Sequence, residues 1–562
     1  MRVLGLNHSI DAAAALFEAD RIVRASAEER LSRIKHDSSF PAKAMAFALE
    51  DLPGGLLDCD AVAFFWNPVR HMDAGNRRFT SVPRHHIEFL HSVPNHLLAG
   101  NPLTDVPYAR LTVPRSAGKD LDLYYVTHHL CHAAHAFFES PFEESAILTV
   151  DGYGERSSVT IGMGRGNEIK PLLEIPSPHS VGSVYAAITQ FLGFKPNSGE
   201  GKVMGLASYG TPRYLDFFKE LLQCTAEGFE VDIRYFSYMS DGLARYNSRL
   251  VEKLGEPRAP ESAIEERHQD IAASLQAATE DVMVHLAKLT REKTQMKNLS
   301  MAGGVVLNCV ANARIVEEAG FERCFFQPAC NDAGSSAGAA LYVAHQIHGL
   351  PRKVHPGKTD YLGPEYSADE IRRVLQNAGV SFSDVGQSGA IAAECLAQGR
   401  IIGSFQGRAE YGPRALGNRS IHAQPGPGKN KDILNARVKF REPFRPFAPS
   451  VLEESCGRYF GVETPSPYML RVYKTLEEHK DALGAVTHVD GGARVQTVNE
   501  IQNPLYHRMI SAYGAETGVD CVLNTSFNIR GEPIVNSPQD ALKCFFTTDM
   551  DDLFVGPYHL KK

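Results

Sequence analysis

The chain opens with an apolar stretch, Arg2-Val-Leu-Gly-Leu6, that reads as a buried strand. A polar turn, Asn7-His-Ser-Ile-Asp11, follows. Ala12 to Phe17 and Arg21 to Ala27 predict two more strands, separated by the turn Glu18-Ala-Asp20. From Glu28 the spacing becomes helical, and Pro41 to Leu52 predicts an amphipathic helix. The same order recurs downstream. Ala146 to Val150 predicts a strand, Asp151-Gly-Tyr-Gly-Glu155 an acidic turn, and Ser157–Met163 and Glu168–Ile175 two further strands. Tyr124 to Phe138 passes from a strand end into a helix, with Thr127 placed to cap it. Ile271, Leu275, Ala278, Val282, Leu286 and Leu289 stripe a long core helix over 261–290. A strand at 299–302 runs into Gly303-Gly304, and Asn331-Asp332 precedes a small-residue helix over 335–344. Near residues 350–357 the composition turns to Pro, Gly and Lys, which places a domain boundary and gives domains 1–355 and 356–562. Beyond it, helices are expected at 367–377 and 389–398, and a strand at 400–405.

Two halves that each open strand, acidic turn, strand, turn, strand resemble the duplicated core of the actin, Hsp70 and sugar-kinase superfamily. That implies an α/β fold in which the two acidic turns face each other. Between the repeats, 67–117 is irregular and rich in Pro, His and Arg. It suits a substrate-facing insertion or a subunit contact, so a homodimer is left open.

Composition narrows the classes. The 562 residues are 43% hydrophobic and 22% charged, with a net charge of -8, so nothing marks a nucleic-acid or anionic-membrane partner. Ten cysteines lack paired C-x-x-C spacing, which argues for a reducing, cytoplasmic setting without zinc knuckles. No apolar run approaches a membrane span, and the first residues read as a short strand rather than a signal peptide.

The chemistry-bearing residues fall into two groups. His128 and His132 are one helical turn apart, so both imidazoles can meet one divalent metal. His135 lies on nearly the same face, whereas His129 points elsewhere. Asp151 and Asp332, each in a turn, complete a His/carboxylate set suited to iron, zinc or manganese. The glycine-rich stretch around Gly201 and Lys202, and the Gly303-Gly304 turn, suit backbone approach to an anion. The second group lies in the second domain. Arg408, Arg414, Arg419, Arg437, Lys439, Arg441 and Arg445 sit among Gly, Pro and Phe, where they present cationic forks to phosphates. Arg494, Asn524 and Ser526 stand near predicted strand ends.

His128-His-Leu-Cys-His132, Val150-Asp-Gly-Tyr-Gly-Glu155, Gly201-Lys-Val-Met-Gly-Leu-Ala207, Tyr411-Gly-Pro-Arg-Ala-Leu-Gly-Asn-Arg-Ser420, Arg445-Pro-Phe-Ala-Pro449 and Leu523-Asn-Thr-Ser-Phe-Asn528 resemble the NodU/CmcH carbamoyltransferases nearly end to end. The resemblance implies a duplicated actin-like N-terminal domain and a YrdC-like α/β C-terminal domain. It also implies ATP-dependent O-carbamoyl transfer. The second domain would make carbamoyl adenylate from carbamoyl phosphate and ATP with Mg²⁺. The first would pass the carbamoyl group to a hydroxyl of a small-molecule acceptor, as in antibiotic biosynthesis. By that resemblance Lys439 and Arg445 act in activation. Arg494, Asn524 and Ser526 match the family's acyl-phosphate and nucleotide contacts, while Arg414, Arg419 and Arg441 are, on the residues alone, further cations available to carbamoyl phosphate or nucleotide. Gly201, Lys202, Gly303 and Gly304 line the AMP pocket. His128, His132, Asp151 and Asp332 hold a metal, read as iron. One departure stands out. The family's turn carries His-Asp, with the His as base for the acceptor, but here Ile10 precedes Asp11. His8 is expected to reach the same space, with Asp11 as the alternative base. Competing readings are a carbamoyl-transfer factor acting on protein or tRNA, and a non-catalytic nucleotide switch. The first lacks the zinc-binding Cys pairs or basic surface it needs, and the second leaves the arginines without purpose.

Overall fold

The computed structural model describes residues 1–67, 106–116, 118–238, 244–355, 360–387 and 389–562. Most of the expected insertion, 68–105 and 117, lies outside them. The chain divides into two compact units. One comprises Met1–Glu28 and His36–Pro356, the other Glu29–Lys35 and Gly357–Lys562. Among the described residues no helix is long and apolar enough to cross a membrane, and none of the ten cysteines forms a disulfide.

The first unit holds the duplication as topology. β1 (Arg2–Asn7), β2 (Ala13–Glu18) and β3 (Arg21–Ala27) form an antiparallel meander. β4 (Ala61–Phe64) pairs parallel to β1. Beyond it β5 (Tyr108–Val113) edges β6 (Leu121–Val126), which runs parallel to β4, giving the order β3-β2-β1-β4-β6-β5. The second half repeats this. β7 (Glu144–Val150), β8 (Ser157–Arg165) and β9 (Glu168–Pro176) form the meander. A small hairpin, β10 (Leu222–Thr225) and β11 (Gly228–Val231), stands apart. β12 (Asn298–Ala302) and β13 (Arg323–Phe326) then add parallel strands, in the order β13-β12-β7-β8-β9. This twice-repeated meander plus two parallel strands is the duplicated α/β core of the actin-like fold. Each first strand is buried along all but its first residue because it is central and covered on both faces.

Two helices pack close between the sheets. The His128–Phe138 helix is buried along nearly its whole length. The Asp332–Leu341 helix is built of Ala, Gly and Ser for a steric reason: a Cβ on Gly338 would lie 1.8 Å from the Cys131 carbonyl oxygen. The expected helix at 335–344 starts three residues earlier and passes into a π-turn at Tyr342–Ile347. The long core helix spans Glu266–Thr294, and the amphipathic helix is shorter than expected, Ala42–Ala48.

The second unit is one eight-stranded mixed sheet with helices on both faces. Its strands are β14 (Ser383–Asp384), β15 (Ile402–Phe405), β16 (Arg419–Ala423), β17 (Ala448–Leu452), β20 (Gln496–Val498), β21 (Cys521–Ser526), β22 (Asp552–Val555) and β23 (Tyr558–Lys561). Their order is β14-β23-β22-β15-β16-β21-β17-β20. β18 (Val472–Lys474) and β19 (Gly492–Arg494) pair separately. One core packs Ile421, Val451, Leu523 and Phe527 against Leu434 and Val438. The other packs Ile402, Val522 and Phe554 against the helices Gly389–Ala397 and Pro504–Thr517.

Candidate metal centre and anion site

The metal centre begins with how its helix is started. Thr127 occupies the N-cap position, but its hydroxyl donates to the Pro107 carbonyl instead. The cap comes from Glu155, whose carboxylate accepts the N–H of His128 at 2.9 Å and of Asn67 at 2.6 Å. Burial pushes the Glu155 carboxyl up, and the hydrogen bonds work against that. His129, as expected, points away from the metal face. It bonds Thr149 Oγ1 at 2.7 Å and the Ser157 carbonyl at 2.9 Å, and burial, with the neighbouring His128, lowers it to about 3.

His128, His132, Asp151 and Asp332 converge. Both imidazole Nε2 atoms meet Asp151 Oδ2, at 2.9 and 3.0 Å, and lie 3.1 Å from each other. Asp332 Oδ1 stands 3.8 Å from His128 Nε2 and 3.7 Å from His132 Nε2. The Asp151 carboxylate is fixed in orientation. Its Oδ1 accepts the N–H of Gly152 at 2.7 Å and of Gly304 at 3.2 Å, leaving Oδ2 for the histidines. Burial lowers His132, but the two carboxylates outweigh it and hold the ring at about 9. Two ring nitrogens at 3.1 Å, both facing carboxylate oxygens, form a donor set that one divalent cation satisfies better than protons do. The residues therefore fit a metal. Phe65 and Trp66 wall the His128 ring at 5.5 and 5.7 Å.

The glycines read as anion-facing divide. Gly303 has φ 104°, and a Cβ there would strike the Val150 carbonyl, so it serves the turn that delivers Gly304 N–H to Asp151. Gly201 and Lys202 lie inside the first turn of the Glu200–Ala207 helix rather than in an open loop, with the Lys202 ammonium 5.4 Å from the Phe194 ring.

The first acidic turn differs most from expectation. His8 packs edge-on against Phe64 and Phe65. The imidazole that meets Asp11 is that of His36, at 2.8 Å from Nδ1 to Oδ1, and Asn331 Nδ2 donates to Asp11 Oδ2 at 2.8 Å. Asn7 Nδ2 donates to the Asp332 carbonyl at 2.7 Å and to the Asp11 carbonyl at 3.3 Å, so the first acidic turn is stitched to the Asp332 turn. His36, Asn7 and Asn331 were not legible as site residues. Asn7 ends an apolar strand, and His36 sits in a segment without periodicity.

The anion site lies in the second unit. Lys439 Nζ donates to the Ser526 and Asn528 carbonyls and to Asn528 Oδ1, at 2.7, 2.8 and 2.8 Å. Arg441 donates to the Pro446 carbonyl at 3.1 Å and stacks 4.2 Å from the Phe447 ring. Arg445 and Arg530 share one acid, Glu442, at 3.8 and 3.7 Å. Burial depresses Lys439, Arg441 and Arg445, and their mutual repulsion, with that of Arg414, Arg494 and Arg530, depresses them further. Guanidinium groups do not give up their protons in proteins, so Arg441 and Arg445 stay charged, with Glu442 beside Arg445, while the three donors of Lys439 are taken by Ser526 and Asn528.

Two expected ligands leave the set. Arg419 is fully buried and spends its guanidinium on the carbonyls of Gln406, Asn418, Pro364 and Gly407, 3.7 Å over the Phe405 ring. Asn524 donates to the Ala415 carbonyl, Ser450 and Gln496 in a buried polar network. Arg419 ties its strand to the turn at Gln406 and Gly407 and to Pro364, and Asn524 holds Ala415 of the Glu410–Ser420 loop. Glu410 completes that loop by accepting the N–H groups of Leu416, Asn418 and Arg419.

Residues 2–341 match the carbamoyltransferase N-terminus family, and residues 393–562 match the carbamoyltransferase C-terminus family. An uncharacterised Synechocystis protein is 40% identical, over 100% of this chain and 96% of its own. Nodulation protein NolNO of Sinorhizobium fredii is 38% identical over 98% of this chain and 79% of its own. The 3'-hydroxymethylcephem-O-carbamoyltransferase of Amycolatopsis lactamdurans is 30% identical over 79% of this chain and 82% of its own.

Proposed function

The chain belongs to the carbamoyltransferase family, and from that premise we propose that it is an ATP-dependent O-carbamoyltransferase acting on a hydroxyl-bearing small molecule. The observation that carries this is the cluster of a buried Lys439 with half-buried Arg441 and Arg445, whose positive charges stand close enough to depress one another, beside Glu442. Such a cluster suits a ligand with several negative charges, and carbamoyl phosphate with an ATP triphosphate is one. In this reading the second unit cleaves carbamoyl phosphate with water to carbamate and phosphate. It then joins the carbamate to the α-phosphate of Mg·ATP, forming carbamoyl adenylate and releasing pyrophosphate. Lys439, Arg441 and Arg445, with Arg414 and Arg494, neutralise the phosphates.

The first unit then carries the transfer. His128, His132, Asp151 and Asp332 would hold a divalent metal, with iron as the finer reading. When bound it supplies positive charge for the adenylate phosphate. The chain's own residues set the geometry. Gly152 and Gly304 orient Asp151, and Glu155 fixes the start of the histidine helix. The cephem relative is named for an O-carbamoyl acceptor carrying a hydroxymethyl group, which supports an alcohol as acceptor here.

The test needs no acceptor. The protein is incubated with ATP and Mg²⁺, with and without carbamoyl phosphate, while pyrophosphate is followed and carbamoyl adenylate is sought by mass spectrometry. Pyrophosphate that depends on carbamoyl phosphate is expected. ATP cleaved only to ADP, regardless of carbamoyl phosphate, would overturn the proposal. Metal analysis of the purified protein tests iron.

A further inference from the structure

Resting on the carbamoyl-transfer reading, we propose that His36 is the general base that takes the proton from the acceptor hydroxyl, and that Asp11 is its positioning residue. Nothing in the chain's order suggests the pair, since 25 residues separate them. The fold brings them together at the turn after β1. His36 Nδ1 lies 2.8 Å from Asp11 Oδ1, and a carboxylate only accepts, so Nδ1 carries the proton. That fixes the tautomer with its lone pair on Nε2, the form a base requires. Asp11 is itself held rigid, because its other oxygen accepts from Asn331 Nδ2 at 2.8 Å. A carboxylate fixed on both oxygens orients an imidazole, and it stabilises the imidazolium that proton transfer creates.

The pair is tied to the metal centre by hydrogen bonds. Asn331 directly precedes Asp332, and Asn7 donates to the carbonyls of both Asp11 and Asp332. Backbone geometry points the same way. Asp11 has φ 58° and His36 φ 54°, left-handed values that cost non-glycine residues energy and that collect at functional sites. The His36 side chain keeps 27% of its surface exposed, so a substrate can reach it. His8 packs edge-on to Phe64 and Phe65, and the imidazole paired with Asp11 is that of His36.

The step balances. The acceptor O–H proton passes to His36 Nε2 while the oxygen bonds to the carbamoyl carbon. The bond from that carbon to the AMP phosphate oxygen breaks, and its electron pair leaves with AMP. The products are a carbamate ester, AMP and an imidazolium that returns its proton to solvent.

The experiment uses the full chain with ATP, Mg²⁺ and carbamoyl phosphate, and two surrogate acceptors. Water needs a base to become a nucleophile. Hydroxylamine attacks through a neutral nitrogen lone pair and does not. Wild type, His36→Ala, His36→Gln and Asp11→Asn are compared for first-turnover pyrophosphate, AMP formed with water, and hydroxyurea formed with hydroxylamine. For both His36 variants the expected result is pyrophosphate and hydroxyurea within about threefold of wild type, while AMP formed with water falls about 100-fold. Added imidazole restores part of the loss in His36→Ala, and Asp11→Asn shows a smaller fall. Water-dependent AMP formation at wild-type rate in both His36 variants would overturn the assignment. So would parallel loss of AMP and hydroxyurea in both, which would mean a structural role. Wild type without carbamoyl-phosphate-dependent pyrophosphate sinks the carbamoyl-transfer reading, and this assignment with it.

Discussion

Arg445 shares Glu442 with Arg530 and stands among cations that raise one another's energy. If these cations hold the phosphates during activation, Arg445→Ala should cut first-turnover pyrophosphate by about 10²–10³, the usual scale for one charge-stabilising donor. Supplied carbamoyl adenylate should still be consumed, and loss of both activities would count against separate roles. His128→Ala should show the opposite pattern. Pyrophosphate release persists, while bound metal, measured by mass spectrometry of the ions, falls below the wild-type stoichiometry. Retained metal in that variant would remove His128 from the centre. At this scale the sequence was informative about residue type and weak about orientation. The i, i+4 histidines had to share a helix face, so the metal pair was legible. Arg419 was indistinguishable in sequence from Arg414, and only the fold turns its guanidinium onto four carbonyls. His36 could not be found because its partner is fixed by the turn after β1, which no local pattern encodes.

The histidine helix works only if its start and its neighbour are right. Glu155 accepts two buried backbone N–H groups, of Asn67 and His128, that have no water to turn to. Glu155→Ala should lower stability by about 1–3 kcal/mol, read as a lower urea midpoint, and should reduce metal content although Glu155 is no ligand. Gly338→Ala tests the close contact. Its Cβ would sit 1.8 Å from the Cys131 carbonyl oxygen, so the Asp332–Leu341 helix must shift, and about 1–3 kcal/mol should be lost. An unchanged midpoint in either variant would contradict the packing described. The apolar periodicity located both helices. The cap was misread because Thr127 has the right residue type in the right position, while the group that does the capping comes from the turn after β7, 27 residues beyond His128.

At the scale of the whole chain, the duplication was legible because each meander repeats the same alternation of apolar runs and acidic turns. The parallel strands β4, β6, β12 and β13 were harder to place, since their partners are far apart in sequence. The two units also share a physical weakness, each burying a histidine in neutral form. Burial pushes His422 in the second unit, and His129 in the first, down to about 3. An unfolded histidine titrates near 6.5, so between about 6.5 and 3 the unfolded chain binds a proton that the folded chain refuses. The stability share of these two rings is therefore fully present above about 6.5 and falls as pH drops, by about 1.4 kcal/mol per pH unit for each histidine. Hydrogen exchange read unit by unit at pH 7 and pH 5 should show both units losing protection. His422→Asn removes the titrating group in the second unit alone. That variant should be less stable at pH 7, because a packed ring is gone, yet its second unit should lose less protection between pH 7 and pH 5 than wild type does. The first unit, still carrying His129, should keep the wild-type slope. If the second unit's acid slope survives in His422→Asn, the acid sensitivity lies with other groups.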